Sequence, residues 1–288
     1  MLRALIFILL PLFATGCLPE EESDDIVNDQ GDTVADPTLR LNGLWNGELD
    51  QAGALRLLMY NGNVFGFDET IAFYGTAALD EETATATLTL SGYPYSSSDA
   101  DSNQFVASGS PEDYEFSGLL FPTTVTDDTL VGDYESDTTP GGFTLNNDGT
   151  WENNSSLASL RGKWASTGYE LYLTEVGDEL SFREVSLATP ATGCTSRGTI
   201  RLLDKDNALY ALQMLERKNC AGFNVTNAPG YATVNVDGEL EFFVRKDDEL
   251  LYTRYASAAA AGTDTTTDDT ADPATDEEPT DTTTETTE

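Results

Sequence analysis

The chain has 288 residues, of which 51 are acidic and 14 are basic, so its formal net charge at pH 7 is −37. A surface with this charge repels phosphate backbones, and we exclude nucleic acid as a partner. The sequence contains no His, which excludes Ser-His-Asp and Cys-His catalysis as well as His-ligated zinc.

The N-terminus has the layout of a secretory signal. Arg3 supplies a positive charge, and an apolar run follows from Ala4 to Phe13. A run of about ten apolar residues is too short to span a bilayer as a helix. We therefore expect residues 1–16 to be a signal peptide that is removed from the mature protein.

The run is followed by Ala14-Thr15-Gly16-Cys17, which resembles a bacterial lipobox, with Ala14 where Leu is usual. The resemblance implies cleavage before Cys17 and acylation of Cys17, with palmitate among the chains, which together anchor a protein stably. Leu18 rather than Asp follows, which implies delivery to the outer membrane by the sorting rule of enteric bacteria. An ordinary cleaved signal with an incidental Cys is the alternative.

Two acidic segments flank the centre of the chain. Residues 17–38 and 257–288 together contain 18 acidic residues and no Lys or Arg. They hold too few large apolar residues to bury a core. We predict a disordered acidic tether at 17–38 and a disordered tail rich in Thr, Asp and Glu at 257–288.

Between these segments, apolar and polar residues alternate. Leu240, Phe242 and Val244 alternate with charged residues, and the segment 85–90 alternates Thr with Ala or Leu. This period of two is typical of half-buried antiparallel strands. Four dipeptides typical of hairpin turns separate such runs: Asn61-Gly62, Asp148-Gly149, Gly177-Asp178 and Asp237-Gly238. The pattern predicts an all-β fold.

A short motif recurs about one domain length further along the chain. Leu41-x-Gly43-x-Trp45 returns as Leu160-x-Gly162-x-Trp164, and a weaker copy contains Gly132 and Tyr134. The repeat predicts two tandem domains, at 39–154 and 155–256. Ser155 and Ser156 come just before the second copy and predict a capped helical turn there.

A Gly-x-Trp strand after a helical turn resembles the lipocalin and wider calycin pattern. The resemblance implies two antiparallel β-barrels of eight strands each. It also implies that Trp45 and Trp164, beside Gly43 and Gly162, plug one end of their barrels. The alternative is that each Trp is a core residue that only packs. The second half also resembles uncharacterised bacterial lipoproteins in its Gly193-Cys194, Asn207-x-x-Tyr210 and Asn219-Cys220 segments, a resemblance that implies no activity.

With Cys17 acylated, Cys194 and Cys220 remain. Outside the cytoplasm, such a pair is usually a disulfide. We expect it to join the strands near 199–203 and 208–215. Two buried free thiols are the alternative.

One segment has the spacing of metal ligands. Asp99-x-Asp101-x-Asn103 matches the start of a calcium loop, but Gln104 and Ser110 stand where an EF-hand needs Gly and Glu. A solvated turn is the default interpretation. We therefore expect no metal and no cofactor.

The aromatic residues leave two interpretations open. They could form a platform for sugars or apolar ligands, or they could belong to an ordinary β core. The residues in question are Tyr93, Tyr95, Phe105, Phe65, Phe67, Phe73 and Tyr74.

These observations favour a membrane-tethered envelope lipoprotein that acts as a non-enzymatic binding or surface-interaction module. Its partner would be an unidentified extracellular or periplasmic ligand or protein, in addition to the membrane that holds its lipid. One alternative is a structural envelope protein without a ligand pocket. A weaker alternative is a carboxylate-dependent glycan hydrolase.

Overall fold

The structure is a computed structural model. It describes residues 25–27, 33–50, 53–99, 104–122, 128–188, 193–203 and 205–258. The predicted signal, Cys17, most of the predicted tether and nearly all of the predicted tail lie outside these residues. Within residues 17–38, however, two short strands pair in antiparallel fashion. Ile26 and Val34, which lie opposite each other in register, have high strand propensity. The disordered tether stays a prediction.

The described part is all-β. Its only helical elements are a 3-10 turn at Pro37–Leu41 and one α-helical turn, α1, at Leu157–Leu160. The strands of the first half are β1 Asp25–Val27, β2 Thr33–Ala35, β3 Gly43–Leu49, β4 Gly53–Tyr60, β5 Asn63–Phe67, β6 Ile71–Asp80, β7 Thr85–Asp99, β8 Gln104–Ser108, β9 Glu112–Phe121, β10 Thr129–Ser136 and β11 Gly141–Asn147. Those of the second half are β12 Gly162–Ser166, β13 Tyr169–Val176, β14 Glu179–Ser186, β15 Thr195–Leu202, β16 Leu209–Lys218, β17 Val225–Val234, β18 Leu240–Lys246 and β19 Glu249–Ser257.

Eight strands of the first half close into an antiparallel barrel, here called the first barrel. The strands β3 to β7 pair in order, β7 pairs with β9, and β9, β10 and β11 follow. β11 then returns to β3, between Phe143↔Leu49 and Asn147↔Trp45. The alternating pattern predicted antiparallel strands, and the resemblance to lipocalins implied an eight-stranded barrel; closure leaves these strands with no free edge.

The strands β12 to β19 pair in chain order and form what we call the second ring. β12 meets β19 through only two residue pairs, Trp164↔Ser257 and Ala165↔Ala256. The start of β19, Glu249 to Thr253, pairs instead with β8 from the first half of the chain. The short contact between β12 and β19 thus leaves an edge that β8 covers.

β8 belongs to a hairpin that leaves the first barrel. The first part of β7 pairs with β6 and β9 inside that barrel, whereas Tyr95 to Asp99 pair with β8. A register shift between Tyr95 and Ser97 accompanies this change of partner. Such bulges let a strand bend away from its sheet. The division of the chain at residue 155 into two domains stays a prediction.

Candidate functional site

The two repeated tryptophans have the same local structure. Each follows a helical turn and a glycine with positive φ, 134° at Gly43 and 117° at Gly162. The indole N–H of Trp45 donates to the carbonyl of Leu41 at 2.8 Å, and that of Trp164 donates to the carbonyl of Leu160, also at 2.8 Å. Trp45 is fully buried and Trp164 is 6% exposed. Because each ring satisfies its only donor on the preceding turn, each Trp fixes that turn against its own set of strands.

Side chains fill the interior of the first barrel. One cluster of buried residues contains members from all eight strands, with Trp45, Phe73, Phe116 and Phe143 among the largest. Several of these rings are in edge-to-face contact, such as Phe73 with Phe116 and Phe116 with Phe143. A buried cluster with members from every strand is typical of an eight-stranded barrel whose own side chains fill it.

The interior of the second ring is apolar at its centre and polar near one end. Arg217 on β16 and Glu184 on β14 form an ion pair at 3.1 Å, and both side chains are 2% exposed. The hydroxyls of Ser196 and Tyr255 donate to the Glu184 carboxylate, that of Tyr255 at 2.6 Å. Burial, reinforced by Glu184, raises the pKa of Tyr255 well above its ordinary value, so this phenol stays a donor.

Gln104 brings β8 into the same polar cluster. Its amide N–H donates to Glu184 at 2.6 Å, and its carbonyl oxygen accepts from Arg217 at 3.1 Å. Arg217 also keeps a buried Nε without a partner among the described residues. The cluster therefore depends on a side chain supplied by the first half of the chain.

A second buried ion pair joins the first barrel to the second ring. Arg56 on β4 donates to Glu241 on β18 at 2.6 Å, and Glu241 is fully buried. The phenol of Tyr252 donates to the same carboxylate at 2.7 Å. Burial, the largest single effect, lowers the pKa of Arg56, but the charge and hydrogen bond of Glu241 together with Tyr252 and Asp148 outweigh it, so the net pKa is raised and the guanidinium stays charged.

The disulfide is confirmed. Cys194 precedes β15 and Cys220 follows β16, with their Cα atoms 4.5 Å apart. The bridge therefore joins the two neighbouring strands that the sequence indicated. Cys194 comes just before Ser196 and Cys220 just after Arg217, which lie opposite each other, so the bridge lies at the same end of the ring as these two residues.

Concave surface is found outside the second ring, on the outer face of the strands β12 to β16. Two shallow depressions of about 440 and 450 Å³ share Arg183 in their walls. The first is lined by Tyr172, Thr174, Ser181, Phe182, Arg183 and Val185. The second is lined by Arg183, Thr195, Ser196, Arg197, Glu216 and Lys218. Aromatic, hydroxyl and basic groups are thus exposed side by side, and we call this outer face the basic face.

The basic face holds a row of side chains in cross-strand register. Lys163 lies opposite Tyr172, Tyr172 opposite Arg183, and Arg183 opposite Arg197. Two arginines directly opposite one another repel, so this pairing costs stability unless an anion compensates it. Arg197 has Glu216 at 3.0 Å, whereas Arg183 forms no ion pair with any described residue.

The segment with the spacing of calcium ligands lies mostly outside the described residues, so its interpretation as a solvated turn stays a prediction. Asp101 and Asn103 lie outside the described residues, and Asp99 is placed only as the last residue of β7. Within the described part, no group of three or more Cys, Asp or Glu residues is arranged to hold a metal ion. No helix of that part is long and apolar enough to cross a membrane.

The sequence could have indicated one member of the buried polar cluster. Glu184 has the same alternation as Leu180 and Phe182, which point inward. Arg217 could not be predicted, because a register shift between Arg197 and Gly198 moves it from the outward to the inward side. The basic face depends on cross-strand register, which the sequence does not state.

No protein-family model matches the chain, and neither the curated proteins nor the solved structures contain a match.

Proposed function

We propose that this protein is a lipid-tethered envelope protein without enzymatic activity, which acts through its outer surface. One observation carries the proposal: buried side chains fill the interiors of the first barrel and the second ring, while two depressions lie on the basic face. An internal ligand would need an open apolar mouth. An outer face with aromatic and basic groups suits a surface partner better.

The same filled interiors also favour the alternative of a structural envelope protein without a pocket. The basic face distinguishes the two, since a purely structural role would not need Arg183, which forms no ion pair with any described residue, directly opposite Arg197. The weaker alternative, a glycan hydrolase, requires two carboxylates facing an open cleft. Glu184 and Glu241 are buried and each pairs with an arginine, so neither supplies such a pair.

For the fold, we propose that the chain consists of two tandem lipocalin-like β-barrel domains with disordered acidic ends. The shared turn, glycine and Trp-to-carbonyl hydrogen bond support a duplicated unit. The pairing of β8 with β19 shows that the two units have contacts beyond a simple linker.

The tether is tested by Cys17→Ser in cells that have an outer membrane. We expect the wild-type chain to incorporate labelled palmitate and to fractionate with the outer membrane, and the variant to do neither. A variant that stays labelled and equally membrane-bound would contradict the tether.

Surface binding is tested with purified Cys17→Ser protein, which removes the lipid as a source of attachment. We expect the protein to sediment with envelope fragments, and Tyr172→Ala combined with Arg183→Ala to reduce that fraction severalfold. The matched control is Leu119→Ala combined with Phe121→Ala, which truncates exposed apolar residues on β9 of the first barrel. An equal loss in the control, or no loss in either, would rule out the basic face as the binding surface.

A further inference from the structure

We propose that the acidic C-terminal segment, residues 259–288, binds to the basic face and covers it. The proposal concerns regulation of the surface named above and rests on that proposed function for its biological meaning. The physical contact itself can be tested without any envelope partner.

The charges of the chain are unevenly distributed. Residues 39–154 contain 19 acidic and 2 basic residues, whereas residues 155–256 contain 14 acidic and 11 basic residues. The basic face collects five of these eleven cations: Lys163, Arg183, Arg197, Arg201 and Lys218. In a chain of net charge −37, a face that gathers five cations attracts an acidic segment.

Part of this positive charge is already neutralised. Lys163 pairs with Glu170 at 2.5 Å, and Glu216 lies 3.0 Å from Arg197 and 3.1 Å from Lys218. Hydrogen bonds from Lys218 and Arg197 lower the pKa of Glu216, so it is ionised at neutral pH. Within the described residues, Arg183 and Arg201 form no ion pair, and the face keeps an excess of positive charge.

The C-terminal segment has the complementary charge. Residues 259–288 contain ten acidic residues and no Lys or Arg. An acidic segment on the same chain is present at a high effective concentration, of order millimolar for a short linker. Several weak ion pairs can then add to a measurable contact even though each is worth little.

The chain also leaves the fold beside this face. Ala258, the last described residue, donates its backbone N–H to the carbonyl of Lys163 on β12 at 3.1 Å. β12 is the first strand of the face, and β16 is four strands away, or about 19 Å at the usual strand spacing. A segment of thirty residues reaches that far easily, since an extended residue spans about 3.3 Å.

The test uses a synthetic peptide of residues 259–288 and a chain that ends at Ala258. Fluorescence anisotropy of the labelled peptide should show binding to the shortened chain at low salt. Binding should disappear at about 1 M salt, where the Debye length falls to about 3 Å. The full-length chain should bind the peptide much more weakly, because its own segment occupies the face.

Charge reversal identifies the face. Arg183→Glu, Arg197→Glu and Lys218→Glu together, in the shortened chain, should weaken peptide binding about tenfold or more. The control carries the same change in net charge at three cations elsewhere: Arg40→Glu, Lys205→Glu and Lys246→Glu. Urea unfolding should first confirm that both triple variants are folded.

Three results would overturn the proposal. The peptide could bind the full-length and shortened chains equally, the two triple variants could weaken binding equally, or the peptide could fail to bind at low salt. In the last case, polygalacturonate is the second probe. If that polyanion binds both chains and the peptide does not, the basic face binds an external acidic glycan. That result would support the proposed surface function and would contradict the covering of the face by residues 259–288.

Discussion

Arg217 and Glu184 form a buried ion pair inside the second ring, whose interior is apolar at its centre. Removing two such charges from water is costly, and their attraction compensates only when the remaining hydrogen-bonding groups are also satisfied. Ser196, Gln104 and Tyr255 satisfy Glu184, but Arg217 keeps one unpartnered Nε. The pair therefore adds little net stability, yet each member depends strongly on the other.

This dependence predicts an asymmetry between single and double variants. Arg217→Met should lower the free energy of unfolding by about 3–5 kcal/mol, because Glu184 stays buried without its counter-charge. Adding Glu184→Gln should recover a large part of that loss, since the amide carries no charge. Urea unfolding curves measure both values.

The matched control is Lys218→Met, the exposed cation next in sequence, which should change stability by about 0.5 kcal/mol or less. If the double variant is as unstable as Arg217→Met alone, the loss does not come from an unpaired buried charge.

Asp68 predicts a pH dependence. Its carboxylate Oδ1 accepts from the backbone N–H groups of Thr70 and Ile71, at 2.5 and 2.6 Å, while Oδ2 is buried without a partner. Burial raises the pKa of Asp68 above its ordinary value, and the hydrogen bonds oppose this only in part. The folded protein thus holds this proton more tightly than the unfolded chain. Stability from Asp68 is present below the ordinary Asp range and is lost as pH rises through the folded pKa.

Asp68→Asn should remove this loss and keep the Oδ1 acceptor. The stability of the variant relative to wild type should therefore rise between about pH 4 and pH 7, measured by urea unfolding at each pH. Asp68→Ala is the control, and it should be less stable than wild type at both values, by about 1–2 kcal/mol, because the turn loses its acceptor. A constant difference between Asp68→Asn and wild type would contradict the raised pKa.

β8 connects the two halves of the chain at the level of elements. It covers the part of β19 that β12 does not reach, and it supplies Gln104 to the buried ion pair and Val106 to the core of the second ring. A chain that begins at residue 155 lacks this strand. Such a fragment exposes the start of β19 as an edge and leaves Arg217 without one of its partners.

We therefore expect the fragment 155–258 to lack a cooperative unfolding transition. The control is the full chain cut at a protease site introduced in the exposed segment 152–154, which keeps β8 in place. The two pieces should then elute together in size-exclusion chromatography. A fragment that unfolds cooperatively alone, or cut pieces that separate, would show that β8 is dispensable.

The sequence predicted where the strands lie better than it predicted which strands pair with each other. Alternation located the part of β7 around Ala86, Leu88 and Leu90, and the dipeptides located hairpins such as that between β17 and β18. The change of partner within β7 and the pairing of β8 with β19 join residues far apart in sequence. No local period predicts such contacts, because they depend on how the completed sheets lie against one another.

An aromatic cluster joins the first barrel to the second ring at the level of the whole molecule. Phe67 stacks on Tyr252 with ring centroids 4.4 Å apart, and Phe65 contacts Phe243 and Tyr231. The ion pair between Arg56 and Glu241 belongs to the same seam. The sequence left open whether Phe65 and Phe67 form a ligand platform or belong to the core. Both are buried in this cluster. Because these contacts couple the first barrel to the second ring, a loss of stability in one is expected to destabilise the other as well.

Trp164→Ala tests that coupling. Removing the buried indole should lower stability by about 3–5 kcal/mol, and the seam predicts that the whole protein then unfolds in one transition at a lower temperature. Differential scanning calorimetry should give one peak for wild type and variant, with a calorimetric enthalpy close to the van't Hoff value. Tyr172→Ala, which truncates an exposed side chain on the basic face, should leave that peak almost unchanged. Two peaks, of which Trp164→Ala shifts only one, would instead mean that the repeat near residue 155 divides the protein into independent folding units.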